Sequence, residues 1–169
     1  MKISQDWIFD IGMHKGEDTR HYLSKGYHVL AVEANPLLVK ENTVRFRKAI
    51  GSGQLTILNA GIADHEGILP FYVNHRLSEW SSFDKATGTR DNTAFHVIDV
   101  PCVTTLSLFE KYGIPHYLKV DIEGFDHYCL LDIPAAGEKP KYVSCEAVHL
   151  EWLDILVEKG YTKFKLLNQ

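Results

Sequence analysis

The sequence has few cysteines, no long apolar run and no dense cluster of basic residues. Its three cysteines, Cys102, Cys129 and Cys145, are far apart among apolar neighbours, which argues against a disulfide framework and a cysteine metal site. No apolar run approaches the roughly 20 residues that span a bilayer. The amino terminus, MKISQDWIFD, lacks the apolar core of a signal peptide, so we expect a cytoplasmic protein that does not bind membranes.

The charge balance of the chain is mildly acidic. The 169 residues include 22 acids against 18 lysines and arginines, for a formal net charge of −4. Because proteins that follow a phosphate backbone carry a basic patch or stripe, we expect no nucleic-acid partner. A chain of this length has the usual size of one domain, and we expect a single domain over residues 1–169.

Short apolar runs alternate with helical patterns. WIFDIG, HVLAVEA and LTILNAGI predict strands, and EDTRHYLSKG and PLLVKENTVRFRKAI predict helices between them, the order typical of a parallel sheet with crossover helices. Further along, ILPFYV, HVIDVPCVT, HYLKVDIEG, KYVSCEAV and FKLLN predict strands. The predicted fold class is therefore α/β, and we expect the polar segment 74–95 to form a loop over the functional site.

The strand-to-helix junction FDIGMHKGEDT predicts a cofactor loop. A dinucleotide fingerprint needs glycine at its first, third and sixth positions, but here Gly12 is followed by His14 and Glu17 at the other two. Asp10, just before the first glycine, would repel a pyrophosphate and attract an ammonium or sulfonium group. The junction therefore favours S-adenosylmethionine, which carries both cations. The residues assigned to its binding are Asp10, Gly12, Gly16 and Thr19.

A second acid extends this cofactor hypothesis. Glu33 closes the next apolar run, VLAVEANP, 23 positions after Asp10, and an acid at about this separation binds ribose hydroxyls in nucleotide folds. The alternative is a strand-to-helix turn that binds no ligand, in which Glu33 caps a helix. Asn59 and Asp64, which follow the third strand, are weaker candidates for the adenine edge.

A second polar cluster, LKVDIEGFD, closes a later strand with Lys119, Asp121 and Glu123. The carboxyl ends of parallel strands share one edge of the sheet, where ligands bind. We expect Asp121 to contact the cofactor and to reach the transferred group or its acceptor, while Glu123 holds a neighbouring amide or hydroxyl. The alternative is a salt-bridged strand end in which Lys119 neutralises one acid.

Methyl transfer to oxygen needs an in-line approach and benefits from a base that takes the hydroxyl proton. Asp121 is our first candidate for this base, and Glu123, Glu146, His149 and His14 are the others. A divalent metal bound by Asp121, Glu146 and His149 would replace the base, and the sequence leaves that alternative open.

Taken in chain order, several motifs resemble the FkbM family of S-adenosylmethionine-dependent methyltransferases: FDIGMHKGEDT, VEANP, NAGIADHEG, TLSLFEKYG, LKVDIEGFD and SCEAVH. The resemblance implies a Rossmann-like class I methyltransferase fold, a mostly parallel sheet of order about 3-2-1-4-5-6 with helices on both faces. It also implies O-methylation of a hydroxyl on a sugar, glycan or secondary metabolite. Carried over by position, Asp10, Gly12, Gly16 and Glu33 would bind the cofactor, and Asp121 and Glu123 would line the reaction centre.

The carboxyl end and the glycine spacing leave other interpretations open. The chain stops at FKLLNQ, close to the sixth predicted strand, where class I methyltransferases usually add an antiparallel strand. An uncovered sheet edge would favour pairing with a second copy, so a homodimer is a hypothesis that a monomeric mass at high concentration would remove. A non-catalytic cofactor-binding or interaction module of the same fold is the alternative function. The glycine spacing argues against a nicotinamide oxidoreductase.

Overall fold

The computed structural model describes residues 3–146 and 149–166. The strands are β1 (Ile3–Ile11), β2 (His28–Glu33), β3 (Leu55–Asn59), β4 (Gly61–Ile62), β5 (Gly67–Asn74), β6 (Phe95–Val103), β7 (Ile114–Val120) and β8 (Tyr142–Ser144). The α-helices are α1 (Glu17–Ser24), α2 (Pro36–Arg45), α3 (Arg47–Gly51), α4 (Lys85–Gly88), α5 (Thr105–Tyr112), α6 (Asp126–Leu131) and α7 (Glu151–Glu158). None of these described helices has the length and apolar composition needed to cross a bilayer.

Five strands form the main sheet, in the order β3-β2-β1-β7-β8, and every neighbouring pair is parallel. With LTILN as the third strand, HYLKV as the fourth and YVS as the fifth, this arrangement matches the predicted order through its first five positions. The sixth predicted strand differs, because residues 164–166 of FKLLN have no strand conformation and its last two residues lie outside the described ranges.

The main sheet carries an apolar core on each face, as parallel strands joined by helices require. Side chains along β2 alternate between the two faces: Leu30 and Val32 join one core, and Val29 and Ala31 join the other. Residues of α5, α6 and α7 pack in the first core, and residues of α1 and α3 pack in the second. The prediction of helices on both faces is therefore confirmed.

The predicted strands ILPFYV and HVIDVPCVT form a second, smaller sheet. They correspond to β5 and β6, which pair in antiparallel register, and β4 adds a parallel pair to β6. Phe71, Val73 and Val100 give this sheet a small core of its own. Since β4 follows β3 after a single residue, the second sheet lies beside the carboxyl ends of the main strands, as does the connection between β5 and β6.

Candidate functional site

A cavity of about 260 Å³ lies at the carboxyl ends of β1, β2 and β7. The strand order reverses at β1, which lies between β2 and β7, and ligands of open parallel sheets bind at such a reversal. Gly12, Glu33 and Asp121 line the cavity from these three strand ends, and Glu146 lines it from beyond β8. The connection between β5 and β6 contributes Ser78, Glu79, Ser81 and Phe83.

Glu33 is held at the cavity by two backbone amides. Its Oε1 accepts a hydrogen bond from the amide of Asn35, and its Oε2 accepts one from the amide of His14, both at 2.8 Å. Burial raises the pKa of Glu33, and the two amides oppose that rise because they favour the carboxylate. The side chain is only 7% exposed, so its carboxylate is fixed in place with remaining acceptor capacity directed to the cavity.

Gly12 forms the turn at the end of β1. The amides of Gly12 and Met13 both donate to the carbonyl oxygen of Val32, at 3.0 Å each. The φ angle of Gly12 is +85°, and a Cβ at this position would lie 1.8 Å from the carbonyl oxygen of Asp121. Only glycine meets both conditions, and the turn thereby brings the β1 and β7 ends together at the cavity wall.

Lys119 is a buried cation beneath this turn. Its Nζ lies 3.2 Å from Asp10 Oδ1 and 3.6 Å from Asp121 Oδ2, and it donates to the Gly12 carbonyl oxygen at 2.8 Å. Burial opposes the charged ammonium, but the nearby carboxylates of Asp10 and Asp121 outweigh it and raise the pKa of Lys119. Lys119 therefore neutralises acids at this strand end, as the alternative interpretation of LKVDIEGFD predicts.

Three predicted cofactor residues lie behind the turn and do not line the cavity. Asp10 is 0% exposed and accepts a hydrogen bond from Thr19 Oγ1 at 2.6 Å, so neither side chain presents a surface for a direct cofactor contact. Gly16 precedes α1 with φ +78°, and a Cβ there would lie 2.7 Å from the ring of Phe46. In this structure the three residues support the turn, and their direct contact with a cofactor stays a prediction.

Asp121, Glu123 and Glu146 form an acidic wall on the β7 and β8 side of the cavity. Glu123 forms an ion pair with Arg90, and its backbone carbonyl accepts a hydrogen bond from Ser82 Oγ at 2.7 Å. Burial, followed by the charges of Asp121 and Glu123, raises the pKa of Glu146 to about 7. The wall therefore holds a carboxyl group that titrates near neutrality.

The connection between β5 and β6 contacts both sides of the cavity. On the glycine-turn side, Ser78 Oγ lies 2.7 Å from His14 Nε2, and burial lowers the pKa of that imidazole. On the acidic side, the Arg90 guanidinium lies 4.9 Å from the centre of the Trp80 ring while it pairs with Glu123. These contacts explain how a polar segment packs against the sheet edge.

The candidates for the adenine edge lie outside the cavity lining. The Asn59 side-chain amide donates to the carbonyl oxygens of Glu33 and Ala34, at 3.0 Å each. Asp64 is exposed and its Oδ1 lies 2.6 Å from His65 Nδ1. Asn59 therefore ties β3 to the end of β2, and Asp64 belongs to a surface turn. Their assignment to the adenine edge stays a prediction.

His149 also lies outside the cavity lining. The residue is exposed, and its ring packs edge-on against Trp152, with ring centres 5.3 Å apart. Its catalytic role stays a prediction. Within residues 3–146 and 149–166, no group of three or more histidine, cysteine, aspartate or glutamate side chains is placed to bind a metal. This arrangement offers no support for the metal alternative.

Two structural contributions went unrecognised in the sequence: Arg90, which pairs with Glu123, and Phe83, which lines the cavity. Both lie in segment 74–95, where no periodic pattern indicates which side chains face the sheet. The one available signal was charge, because a cation in a segment expected to cover an acidic sheet edge is a natural ion-pair partner.

The open parallel sheet, with its cavity at the point where the strand order reverses, is the arrangement of a Rossmann-like protein. A family model, the Methyltransferase FkbM domain, matches residues 10–163, and the chain belongs to this family. The structure is similar to the crystal structure of methyltransferase FkbM from Methylobacillus flagellatus KT, with a TM-score of 0.52 and 13% sequence identity. That similarity covers 78% of this chain and 30% of the longer chain. No curated protein matches the sequence.

Proposed function

We propose that the protein is an S-adenosylmethionine-dependent O-methyltransferase that acts on a hydroxyl of a sugar, glycan or secondary metabolite. The observation that carries this proposal is the cavity itself, which presents buried Glu33 on one side and the carboxylates of Asp121 and Glu123 on the other. A ribose needs a fixed hydrogen-bond acceptor, and a cationic methyl donor is stabilised by nearby carboxylates. The cavity offers both the acceptor and the carboxylates, and the chain belongs to a family of methyltransferases.

The residues around the cavity fit this cofactor. Glu33 keeps acceptor capacity beyond its two amide bonds and would bind the ribose hydroxyls. Gly12 lines the cavity and carries no side chain, so backbone would lie against the methionine portion. When bound, S-adenosylmethionine supplies an electrophilic methyl group, and the carboxylate of Asp121 would orient its cationic groups.

Positioning accounts for most of the proposed catalysis, since an aligned acceptor and methyl group need little further help. Lys119 lies 3.6 Å from the Asp121 carboxylate, and Arg90 pairs with Glu123, so both acids are held by cations. Asp121 and Glu123 would then accept hydrogen bonds from the acceptor's hydroxyl groups. A neutral, hydroxyl-rich acceptor suits this wall because an anionic one would be repelled.

Glu33→Gln tests the cofactor proposal. Replacing a carboxylate by an amide removes charge-assisted hydrogen bonds of about 1.5–3 kcal/mol, so we expect S-adenosylhomocysteine to bind about 10- to 100-fold more weakly. Isothermal titration calorimetry measures this change, and thermal unfolding checks that the variant is folded. Glu41→Gln, the same change at an exposed position on α2 outside the cavity, is the matched control and should bind as the wild type does.

Two results would overturn parts of the proposal. If millimolar S-adenosylhomocysteine gives no heat with the wild-type protein, cofactor binding is wrong. If the cofactor binds but no methyl transfer occurs across a broad panel of hydroxyl acceptors, the non-catalytic module becomes the better interpretation. The homodimer and the cytoplasmic location stay predictions, which mass measurement in solution and localisation of the tagged protein would test.

A further inference from the structure

The three carboxylates of the acidic wall differ in their partners. Asp121 lies 3.6 Å from Lys119, and Glu123 forms an ion pair with Arg90. Glu146 makes no ion pair with a cation among residues 3–146 and 149–166. Two of the three acids are thus committed to holding their cations, and Glu146 remains available for proton transfer.

We propose that Glu146, and not Asp121, is the proton acceptor of the methyl transfer. This inference rests on the proposed function. Glu146 takes the proton that the acceptor hydroxyl loses as its oxygen bonds to the methyl carbon, while the electron pair of the broken C–S bond stays on sulfur. The positive charge on sulfur and the negative charge on Glu146 then disappear together. No unpaired charge is left in the cavity, where one would be costly.

The surroundings of Glu146 suit this role. Burial disfavours its charged form, Asp121, Glu123 and Asp126 disfavour it further, and Arg90 opposes them, which leaves the pKa of Glu146 at about 7. A base with a pKa near the working pH combines a useful ionised fraction with enough basicity to take a proton. Asp121 is a weaker candidate because Lys119 stabilises its carboxylate.

Proton linkage on cofactor binding tests this inference without knowledge of the acceptor. Near pH 7 a group with a pKa of about 7 is about half protonated. A bound sulfonium favours the ionised form of Glu146, whereas the neutral sulfur of S-adenosylhomocysteine does not. We therefore expect Glu146 to release up to about half a proton more with S-adenosylmethionine than with S-adenosylhomocysteine at pH 7. The sulfonium also lowers the pKa of the ligand's own amino group, and Glu146→Gln measures that contribution because it binds the same ligands without this carboxyl group.

The measurement is calorimetric titration of both ligands in buffers of different ionisation enthalpy, at pH 7 and pH 9. Glu146→Gln should reduce the difference between the two ligands by up to about half a proton at pH 7 while still binding both. At pH 9, where Glu146 is ionised in every state, the variant and the wild-type protein should show the same difference. Glu66→Gln, the same change at an exposed position outside the cavity, should leave it unchanged.

Three other outcomes would contradict the inference, and they show whether the proposed function fails with it. If the difference at pH 7 is as large in Glu146→Gln as in the wild type and is reduced in Asp121→Asn, the proton acceptor is Asp121 and the inference is wrong. If neither variant reduces the difference, Glu146 does not respond to the sulfonium, and the inference fails while the proposed function stands. If neither ligand binds, the proposed function fails, and the inference fails with it.

Discussion

Lys119→Met is expected to lower the free energy of unfolding by about 3–5 kcal/mol, the usual cost of removing one partner of a buried ion pair. Asp10 is 0% exposed, and Lys119 lies 3.2 Å from it. Methionine fills much of the space of the lysine stem but leaves the Asp10 carboxylate without its cation. Urea unfolding at pH 8 measures the loss.

The double variant Lys119→Met, Asp10→Asn is the control for this interpretation. Asparagine keeps an oxygen that can accept the hydrogen bond from Thr19, which measures 2.6 Å in the wild type, and it carries no charge. Because the uncompensated charge is gone, the double variant should recover much of the stability that the single variant loses. If the two losses simply add, the cost comes from packing and the ion-pair explanation is wrong.

The stability loss of Lys119→Met should also depend on pH. Burial raises the folded-state pKa of Asp10, and Lys119 is the main opposing cation. Without that cation the folded pKa rises further above the unfolded value of about 3.9. A group with a raised folded pKa contributes stability at low pH that is lost as the pH rises. The deficit relative to the wild type should therefore be smaller at pH 5 than at pH 8, and a pH-independent deficit would contradict this account.

The main sheet was predictable because its signal is local and repeated. Ile8 and Phe9 on β1, like Leu30 and Val32 on β2, belong to short and nearly continuous apolar runs, which is the pattern of strands buried on both faces. The same runs predict where Gly12 and Glu33 lie. Each buried strand ends where its apolar run ends, so the residue at that point lies at the carboxyl edge of the sheet.

The role of Asp10 was not predictable because it depends on a distant residue. Spacing in the sequence places this acid beside the glycine turn, but its partner Lys119 lies on β7 and reaches it only through the pairing of β1 with β7. An acid next to a ligand loop and an acid buried against a lysine look alike in sequence. The two cases are distinguished only by the register in which β1 pairs with β7, which places Lys119 opposite Asp10.

The contacts of the connection between β5 and β6 were even harder to predict from the sequence. Its contacts combine a 3-10 turn at Ser78–Trp80, the short helix α4 and the Arg90 ion pair, none of which produces a repeating pattern. Within it, the Ser82 hydroxyl donates to the backbone carbonyl oxygen of Glu123 at 2.7 Å. Such contacts depend on the tertiary path of the chain, so composition identified the segment but not its interactions.

Gly12→Ala is the second change with a large expected effect. The left-handed conformation at φ +85° costs a side chain about 1–2 kcal/mol. The overlap of its Cβ with the Asp121 carbonyl, at 1.8 Å, adds about 1–3 kcal/mol as the two strand ends move apart. We expect unfolding measurements to give a total loss of about 2–5 kcal/mol.

Gly26→Ala separates the two contributions. Gly26 has nearly the same backbone angle, φ +87°, but no atom lies within 4 Å of the position its Cβ would take. This control variant should therefore lose only the conformational part, about 1–2 kcal/mol, and should bind S-adenosylhomocysteine as the wild type does. Gly12→Ala should bind it more weakly under conditions where it remains folded, because the turn and Asp121 share the cavity wall. Equal stability losses in the two variants would mean that the β1 and β7 ends do not approach as closely as the turn requires.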